Sequence, residues 1–225
     1  MKNIVVFTGA GISAESGLGT FRDSGGLWEE YKIEEVAAPE AFQSNPKLVL
    51  DFYNLRRRQL LKTKPNQAHY ALNRLRTKFN LSIITQNIDD LHERSSSENV
   101  LHLHGKLRES KSTLDYSVFP ILGTELNLGD LCPKGSQLRP NVVWFGESVP
   151  KMEEAINLVL QADIFIIIGT SLNVYPAASL LNYAKKAEKI IIIDPNADFQ
   201  EGIETLQQKA STAVPKLVDD LLCFA

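Results

Sequence analysis

Six runs of apolar residues recur along the chain and predict β-strands. They span residues 3–7, 81–85, 100–104, 141–145, 163–168 and 189–193. The runs at 164–168 and 190–193 are apolar at every position. A strand with only one buried face would alternate apolar and polar residues, so these two runs predict central strands of a parallel sheet.

Helical patterns lie between several of these strands. They cover residues 66–79, 151–161 and 177–187, and the first places Ala68, Ala71, Leu72, Leu75 and Phe79 along one side. The alternation of strand and helix predicts the α/β class, with an open parallel sheet and right-handed crossover connections.

Two segments depart from this alternation. Residues 29–64 have helical patterns with turns around Pro39 and Pro46, and residues 107–138 form a polar excursion between two strands. We expect both to build a small helical lobe, with a ligand cleft between the lobe and the carboxyl ends of the strands. The expected organisation is one domain over residues 1–225, with a core of 1–28, 80–107 and 139–225 and a small lobe of 29–79 and 108–138.

The first predicted strand runs directly into a glycine-rich loop, residues 9–17. A strand, a glycine-rich loop and a helix together can hold phosphate, because glycine lets the backbone approach and the first N–H groups of the helix are unpaired. Gly9, Gly11 and Gly17 have the spacing G-x-G-x5-G, which differs from the G-x-G-x-x-G of dehydrogenases. The loop alone therefore fits a nucleotide site and a tight turn without a ligand equally well.

Polar residues follow four of the predicted strands, at residues 85–90, at His102 and His104, at 169–171 and at 194–196. Single clusters of this kind are often caps and turns, but four at one sheet edge indicate a site. His104 is the candidate general base, since its ordinary pKa is near neutrality, although a lone histidine is more often a structural hydrogen-bonding group. His102 alternates to the opposite strand face and should not pair with it.

Composition and charge narrow the possible functions. The chain is 44% apolar and 23% charged, and its net charge of −3 predicts neither a nucleic-acid partner nor a membrane partner. No apolar run is long enough to span a membrane, and the first one is too short for a signal peptide. Cys132 and Cys223 are the two cysteines, which excludes a disulfide framework or a four-cysteine metal site within the chain and favours a cytoplasmic location.

Six blocks of the sequence resemble the sirtuins, the NAD-dependent protein lysine deacylases, in order and spacing. The blocks are 9–17, 20–22, 85–89, 102–105, 142–147 and 169–171. The resemblance implies a Rossmann-like NAD domain with a small helical and zinc-binding lobe. It also implies that NAD+ is consumed, that the acyl group of an acylated-lysine protein or peptide passes to ADP-ribose, and that nicotinamide is released. We expect a monomer.

The resemblance also assigns roles residue by residue. His104 is the base, while Asn87 and Asp89 share the catalytic role by holding water and the carboxamide. Asp89 could otherwise only cap the helix that begins near Asp90. The cofactor-binding residues are Gly9, Ala10, Gly11, Ser13, Glu15, Thr20, Phe21, Arg22, Gln86, Asn87, Ile88, Asp89, Gly169, Thr170, Ser171 and Asp194. The residues expected to hold the acyl-lysine peptide as an added strand are Val142, Phe145, Gly146 and Glu147.

Tyr53 and Arg56 lie three residues apart in a helical pattern and therefore share a face. The pair resembles the Tyr-x-x-Arg of the sirtuin branch that removes malonyl, succinyl and glutaryl groups. A guanidinium can hold the carboxylate of such an acyl group in fork geometry, and a phenol adds a hydrogen bond. The alternative is a solvated basic face in which Arg56 pairs with Asp51 or another acid.

The chain departs from the family in the segment 107–138. Sirtuins usually place four cysteine ligands there, whereas this segment holds only Cys132 and no histidine. Since structural zinc needs about four nitrogen or sulfur ligands, we expect no zinc and a vestigial module. Its expected apolar contacts are Leu114, Tyr116, Val118, Phe119, Ile121 and Leu122.

Four other functions compete with deacylation. The same site could serve an NAD hydrolase or an ADP-ribosyltransferase, in which only the acceptor changes. A non-enzymatic NAD or ADP-ribose sensor is another alternative, but it has no need of a base such as His104. An oxidoreductase is disfavoured by the spacing of the glycines.

Overall fold

The computed structural model describes residues 1–19 and 31–223, and within them nine strands form two sheets. The strands are Asn3–Thr8 (β1), Asn80–Thr85 (β2), Val100–His102 (β3), Gly105–Ser112 (β4), Val118–Pro120 (β5), Leu138–Val142 (β6), Ile164–Ile168 (β7), Lys189–Ile193 (β8) and Glu204–Leu206 (β9). The larger sheet is parallel and has the order β3-β2-β1-β7-β8-β9. The chain therefore reverses its direction across the sheet between β1 and β7, where open α/β folds bind ligands.

Eight α-helices and two 3₁₀-helices are found in the described residues. The α-helices are Gly11–Ala14 (α1), Ile33–Val36 (α2), Pro39–Ser44 (α3), Pro46–Lys62 (α4), Gln67–Arg74 (α5), Leu91–Arg94 (α6), Met152–Leu160 (α7) and Ala210–Cys223 (α8), and the 3₁₀-helices are Leu75–Thr77 and Ala177–Tyr183. Pro39 and Pro46 each stand at the first position of a helix, where a missing N–H has no cost. The sequence-based prediction of helices that break at these two prolines is confirmed.

The larger sheet is buried on both faces, as its apolar strands predict. On one face, Val6, Ile166 and Ile191 pack against α5 and α8. On the other face, Phe165 and Ile167 pack against α7 and the 3₁₀-helix Ala177–Tyr183. Helix α5 therefore packs with the large sheet, whereas the expected division placed residues up to 79 in the small lobe.

The smaller sheet is antiparallel, with the order β5-β4-β6, and it corrects one predicted strand. The run 141–145 was expected in the parallel sheet, but only its first two residues are in a strand, β6, and that strand pairs with β4. The reason is the backbone at Gly105, whose φ of +81° turns the chain back after β3, and whose missing Cβ lets Asn141 O come close. Trp144 is instead buried among the lobe helices, beside Tyr53 and Val36.

The excursion between β4 and β6 is not held by the apolar contacts that the sequence predicted. Leu114, Tyr116, Val118 and Leu122 are exposed, so that expectation is wrong for them. Ile121 is buried and packs with two residues that the pattern did not single out, Leu50 and Leu126.

Polar side chains of α4 contribute further contacts to this excursion. Asn54 binds both the N–H and the carbonyl of Leu126, at 3.0 and 3.2 Å. The fully buried Arg57 guanidinium donates to Thr124 O at 2.8 Å, to Leu107 O at 3.1 Å and to Asn54 Oδ1. Because these groups satisfy buried carbonyls, α4 holds the loop by hydrogen bonds as well as by the apolar contact of Leu50.

Three further elements differ from the sequence-based expectation. The predicted helix 177–187 is a 3₁₀-helix that ends at Tyr183, and the predicted strand 100–104 ends at His102. Helix α8 was not predicted, and Pro215 lies inside it, where the lost N–H obscures a helical pattern. In the described residues no helix has the length and apolarity that crossing a membrane requires.

The close packing of Gly169 against the first loop yields a stability prediction. Its φ is +63°, and a Cβ there would lie 2.4 Å from Ile12 N, whereas Gly202, with φ of +78°, has open space around it. A left-handed backbone costs an L-residue about 1–2 kcal/mol, so Gly202→Ala is expected to lose about that much. Gly169→Ala is expected to lower the free energy of unfolding by at least about 2 kcal/mol more than Gly202→Ala does, because the backbone of Gly11 and Ile12 must move. Urea unfolding measures both variants, and equal losses would contradict the packing.

Candidate active site

Three loops meet at the carboxyl edge of the larger sheet. The loop after β1 bonds to the end of β7 through Gly9 N–H to Ile168 O at 2.9 Å and through Gly11 N–H to Gly169 O at 2.8 Å. The loop after β2 joins them through Gln86 Nε2, which donates to Thr170 Oγ1 at 3.0 Å. The polar clusters that the sequence placed after β2 and after β7 are therefore in direct contact.

The glycines of the first loop serve the packing of these loops. A Cβ on Gly9 would lie 2.6 Å from Gly169 O, and a Cβ on Gly11 would lie 2.6 Å from Gly169 Cα. The glycine pattern predicts close approach of a phosphate, and in the structure the same missing side chains let two backbones touch. Helix α1 that follows is a single turn.

A buried network of polar side chains connects the first loop to the loop after β2. Asn87 Nδ2 donates to Gly9 O at 3.0 Å and to Ser13 Oγ at 3.2 Å. Ser13 Oγ donates to Asp89 Oδ2 at 3.0 Å, and Asp89 Oδ1 accepts the N–H of Leu91 at 3.1 Å. Burial raises the pKa of Asp89, and these two hydrogen bonds oppose that rise. Asp89 thus contacts the start of α6 as well as Ser13.

His104 lies in the turn after β3, and a hydrogen bond determines which of its ring nitrogens carries the proton. Its Nδ1 is 3.0 Å from Gln86 O, and a carbonyl oxygen can only accept, so Nδ1 carries the proton. Nε2 is then the nitrogen with the free lone pair. Burial lowers the pKa of His104, opposed in part by the hydrogen bond to Gln86, so the ring is neutral at pH 7. These are the properties of a general base.

His102 has different partners from His104. Its Nδ1 lies 2.9 Å from Asn87 O and its Nε2 lies 2.8 Å from Glu93 Oε1, and the ring is buried. It holds the loop after β2 from the side of α6. The two histidines therefore do not act as a pair, as the sequence predicts.

The other expected cofactor residues differ in what they contact. Both carboxylate oxygens of Glu15 accept hydrogen bonds from Ser211. One bond comes from the backbone N–H at 3.0 Å and the other from the hydroxyl at 2.6 Å, so Glu15 joins the first loop to α8.

The remaining expected cofactor residues lie at the ends of strands or in the loops. Asp194, at the end of β8, accepts the N–H of Asn196 at 2.8 Å, and Ser171 is exposed. Two further residues, Ala10 and Ile88, are half-buried. The residues Thr20, Phe21 and Arg22 lie outside the described residues.

Tyr53 and Arg56 lie on the lobe side of the site. The Tyr53 hydroxyl accepts a hydrogen bond from Trp144 Nε1–H at 2.9 Å, and burial raises the pKa of Tyr53 to about 12. Burial lowers the pKa of Arg56, while the nearby Tyr53 phenol and Asp89 carboxylate raise it, so the guanidinium is within electrostatic range of the site. Asp51, one of the acids that the alternative pairs with Arg56, forms an ion pair with Lys47 at 2.6 Å.

The four expected peptide-binding residues divide into two kinds. Val142 is buried in β6, and Glu147 binds Arg139 through both carboxylate oxygens at 2.8 Å. These two hold the loop after β6 in place. Phe145, 51% exposed, and Gly146 present their surfaces to solvent.

Sequence reasoning missed several residues that support the site. Asn66 Nδ2 donates to Ile12 O at 2.7 Å and to Ser16 Oγ at 2.9 Å, so the start of α5 holds the first loop. Its signal was an asparagine immediately before a helical pattern, which is typical of an N-cap. Ser211 and Trp144 carry no local signal, because their partners lie far away in sequence.

The residues of the small sheet do not fit a structural zinc ion. The part of the chain that the structure describes contains no group of three or more His, Cys, Asp and Glu side chains arranged to hold a metal. Cys132 Sγ accepts a hydrogen bond from Ser112 Oγ at 3.3 Å, and Asp115 pairs with Lys134 at 2.8 Å. One thiol and one carboxylate with such partners do not form a tetrahedral site.

The residues at the sheet edge do fit a dinucleotide. Hydroxyl and amide groups of Thr170, Ser171 and Gln86 stand where β1 and β7 separate, and the Asp194 carboxylate at the end of β8 suits a ribose hydroxyl. This set of donors and acceptors spans the switch point of the sheet. The NAD+ molecule that the sequence resemblance implies is therefore compatible with the residues present.

Comparisons with known proteins agree with this arrangement. Residues 9–176 match the family described as the Sir2 family. A Helicobacter pylori protein named NAD-dependent protein deacylase is 52% identical over 228 residues, which cover 100% of both chains. A Bacteroides thetaiotaomicron protein of the same name is 50% identical over 226 residues, covering 96% of this chain and 97% of its own.

Solved structures give the same result. A Sir2 homologue in complex with NAD has a TM-score of 0.90 and 41% identity, covering 99% of this chain and 90% of its own. A structure described as Sir2 bound to an acetylated peptide has a TM-score of 0.79 and 30% identity, covering 97% of this chain and 92% of its own. The fold, the site and these matches establish that this chain belongs to the Sir2 family, the sirtuins.

Proposed function

We propose that this protein is an NAD-dependent protein lysine deacylase that prefers acyl groups ending in a carboxylate, such as succinyl and malonyl. The observation that carries the deacylase assignment is the position of His104, whose Nδ1 bonds to Gln86 O at the place where three loops meet. This bond leaves Nε2 as the base beside residues that fit NAD. Family membership and the deacylases of Helicobacter pylori and Bacteroides thetaiotaomicron support the same function.

The chain's own residues divide the work at this site. NAD+, when bound, supplies the ADP-ribosyl group that accepts the acyl group as nicotinamide leaves. His104 Nε2 takes a proton from the reacting hydroxyl group. Asn87 and Asp89 are held by hydrogen bonds to Gly9 and Ser13. They position water and the carboxamide of the bound NAD+.

The preference for acidic acyl groups rests on Arg56 and Tyr53. The Arg56 guanidinium lies within electrostatic range of both Tyr53 and Asp89, which supports a role for this cation beside the proposed catalytic residues. A guanidinium can bind a carboxylate with two parallel hydrogen bonds, an interaction that an acetyl group cannot make. Arg56 would therefore favour succinyl-lysine over acetyl-lysine.

The substrate is an acylated-lysine protein or peptide, bound against the exposed Phe145 and Gly146 as an added strand. The Sir2 structure with an acetylated peptide supports this class of partner. The net charge of −3 gives little attraction to nucleic acid or anionic membranes. We also propose that the protein is a monomer, that it works in the cytoplasm and that it needs no zinc.

The acyl preference can be tested by replacing Arg56. Arg56→Met is expected to lower kcat/KM for a succinyl-lysine peptide by about 30-fold to 100-fold, since a charge-assisted interaction of about 2–3 kcal/mol is lost. The value for the matched acetyl-lysine peptide should change by less than about threefold. Arg58→Met is the matched control, because Arg58 lies on the same helix but pairs with the exposed Glu125 at 2.6 Å. Equal losses on both peptides would contradict the proposed role.

The role of His104 predicts a pH profile. Burial lowers the pKa of His104 below its ordinary value of 6.5, so the base is unprotonated, and kcat/KM is independent of pH, above neutral pH. Activity is lost as the pH falls below that range and the ring becomes protonated. His104→Ala should lower the rate of acyl transfer by about 10²-fold to 10⁴-fold. Initial rates, with circular dichroism at each pH as a control for folding, measure this profile. A midpoint above pH 7 would contradict the assignment.

Independence from zinc predicts resistance to chelators. Incubation with EDTA is expected to change neither the melting temperature nor the deacylation rate, because the small sheet is held by Asn54, Arg57 and the Ser112–Cys132 hydrogen bond. Elemental analysis of the purified protein should find zinc far below one ion per chain. A stoichiometric zinc ion, with a loss of stability on its removal, would overturn this part of the proposal.

A further inference from the structure

A line of buried polar side chains passes beneath the active site, outside the residues assigned to NAD or acyl-lysine. It consists of His69 on α5, His92 on α6, Thr8 on β1 and Thr85 on β2, and all four are buried. One end touches the backbone of Asn66 and the other touches the backbone of Asn87. The line therefore connects the start of α5 to the catalytic loop.

The tautomer of His69 follows from its one hydrogen bond. The backbone N–H of Asn66 donates to His69 Nδ1 at 3.3 Å, as part of the capping box of α5. Nδ1 therefore carries the lone pair, and in the neutral ring Nε2 carries the proton.

The tautomer of His92 follows from the two threonines. Thr8 Oγ1 donates its proton to Thr85 Oγ1 at 2.8 Å, so it can only accept from His92 Nε2, which lies 3.0 Å away. Nε2 of His92 then carries the proton, and Nδ1 carries the lone pair.

The remaining nitrogen atoms of the two rings are complementary. Among the described residues, His69 Nε2 and His92 Nδ1 are both buried without a hydrogen-bond partner. The first is a donor and the second an acceptor, and the ring centroids lie 5.0 Å apart with the planes tilted by 58°. Two unpaired buried groups are costly, and these two can satisfy each other after a small ring rotation or through one water molecule.

We propose that His69 Nε2–H donates to His92 Nδ1, directly or through one water, and that the completed chain positions Asn87 for catalysis. Hydrogen bonds then run from Asn66 through His69, His92 and Thr8 to Thr85, whose Oγ1 also accepts the N–H of Asn87 at 3.0 Å. A shift of Thr85 would therefore move Asn87. Since Asn87 Nδ2 bonds to Gly9 O, the position of this side chain relative to the first loop would change. His69, His92 and Thr8 act as positioning residues.

The electrostatics of both rings suit this chain. Burial lowers the pKa of His69 to about 4. Burial together with the neighbouring His69 and His102 lowers the pKa of His92 to about 3, and the Glu93 carboxylate only partly opposes this. Both rings are therefore neutral at pH 7, each with one N–H and one lone pair.

The first test is made on the wild-type protein and needs no activity. ¹⁵N NMR of histidine-labelled protein is expected to show both His69 and His92 as the Nε2–H tautomer, without titration from pH 6 to 8. An Nδ1–H tautomer at either ring, or a midpoint near pH 6.5, would overturn the proposed chain. This measurement tests the two tautomers that the pairing requires, and it does so even if the proposed deacylation fails.

The second test asks whether the chain acts on catalysis, and it rests on the proposed function. Thr8→Val removes the hydroxyl with little change in volume, whereas Thr8→Ser keeps the hydroxyl. We expect Thr8→Val to lower kcat for nicotinamide release by about 10-fold to 100-fold, with KM for the acyl peptide within about twofold of wild type. Thr8→Ser should restore most of the rate. Equal rates for the two folded variants would overturn the positioning role.

Discussion

The backbone contact between the loop after β1 and the end of β7 is the constraint on which the site depends. Gly9, Gly11 and Gly169 leave no room for a Cβ between them, and two N–H groups of the first loop bond to Ile168 and Gly169 carbonyls. With these backbones in contact, Thr170 reaches Gln86, and Gln86 in turn accepts from His104. The position of the base thus follows from a packing requirement several residues away.

Helix α4 contributes to two parts of the molecule at once. Its Asn54 and Arg57 bind backbone groups of the excursion after β4, while Tyr53 and Arg56 lie towards the site. Because neighbouring residues on one helix perform both tasks, the loop cannot shift without moving the residues proposed to select the acyl group. Side-chain hydrogen bonds to carbonyls can hold such a loop where the ligands for a metal do not exist.

The sequence predicted what local patterns determine and missed what distant contacts determine. The strands β1, β2, β7 and β8, the breaks at Pro39 and Pro46, and the gathering of polar strand ends follow from apolar periodicity and parallel topology. The run 141–145 was misassigned because an apolar run does not reveal which sheet or lobe buries it. Glu15 bonds to Ser211, a partner that no local pattern could indicate.

Identifying the products of the wild-type protein shows which acceptor and which acyl group it uses. NAD+ would be incubated with matched acetyl-, succinyl- and unmodified lysine peptides, and the products identified by mass spectrometry. We expect nicotinamide together with O-succinyl-ADP-ribose, formed faster than the acetyl product and dependent on the acylated peptide. Nicotinamide with free ADP-ribose and intact peptides, or no turnover of NAD+ at all, would contradict the proposed function.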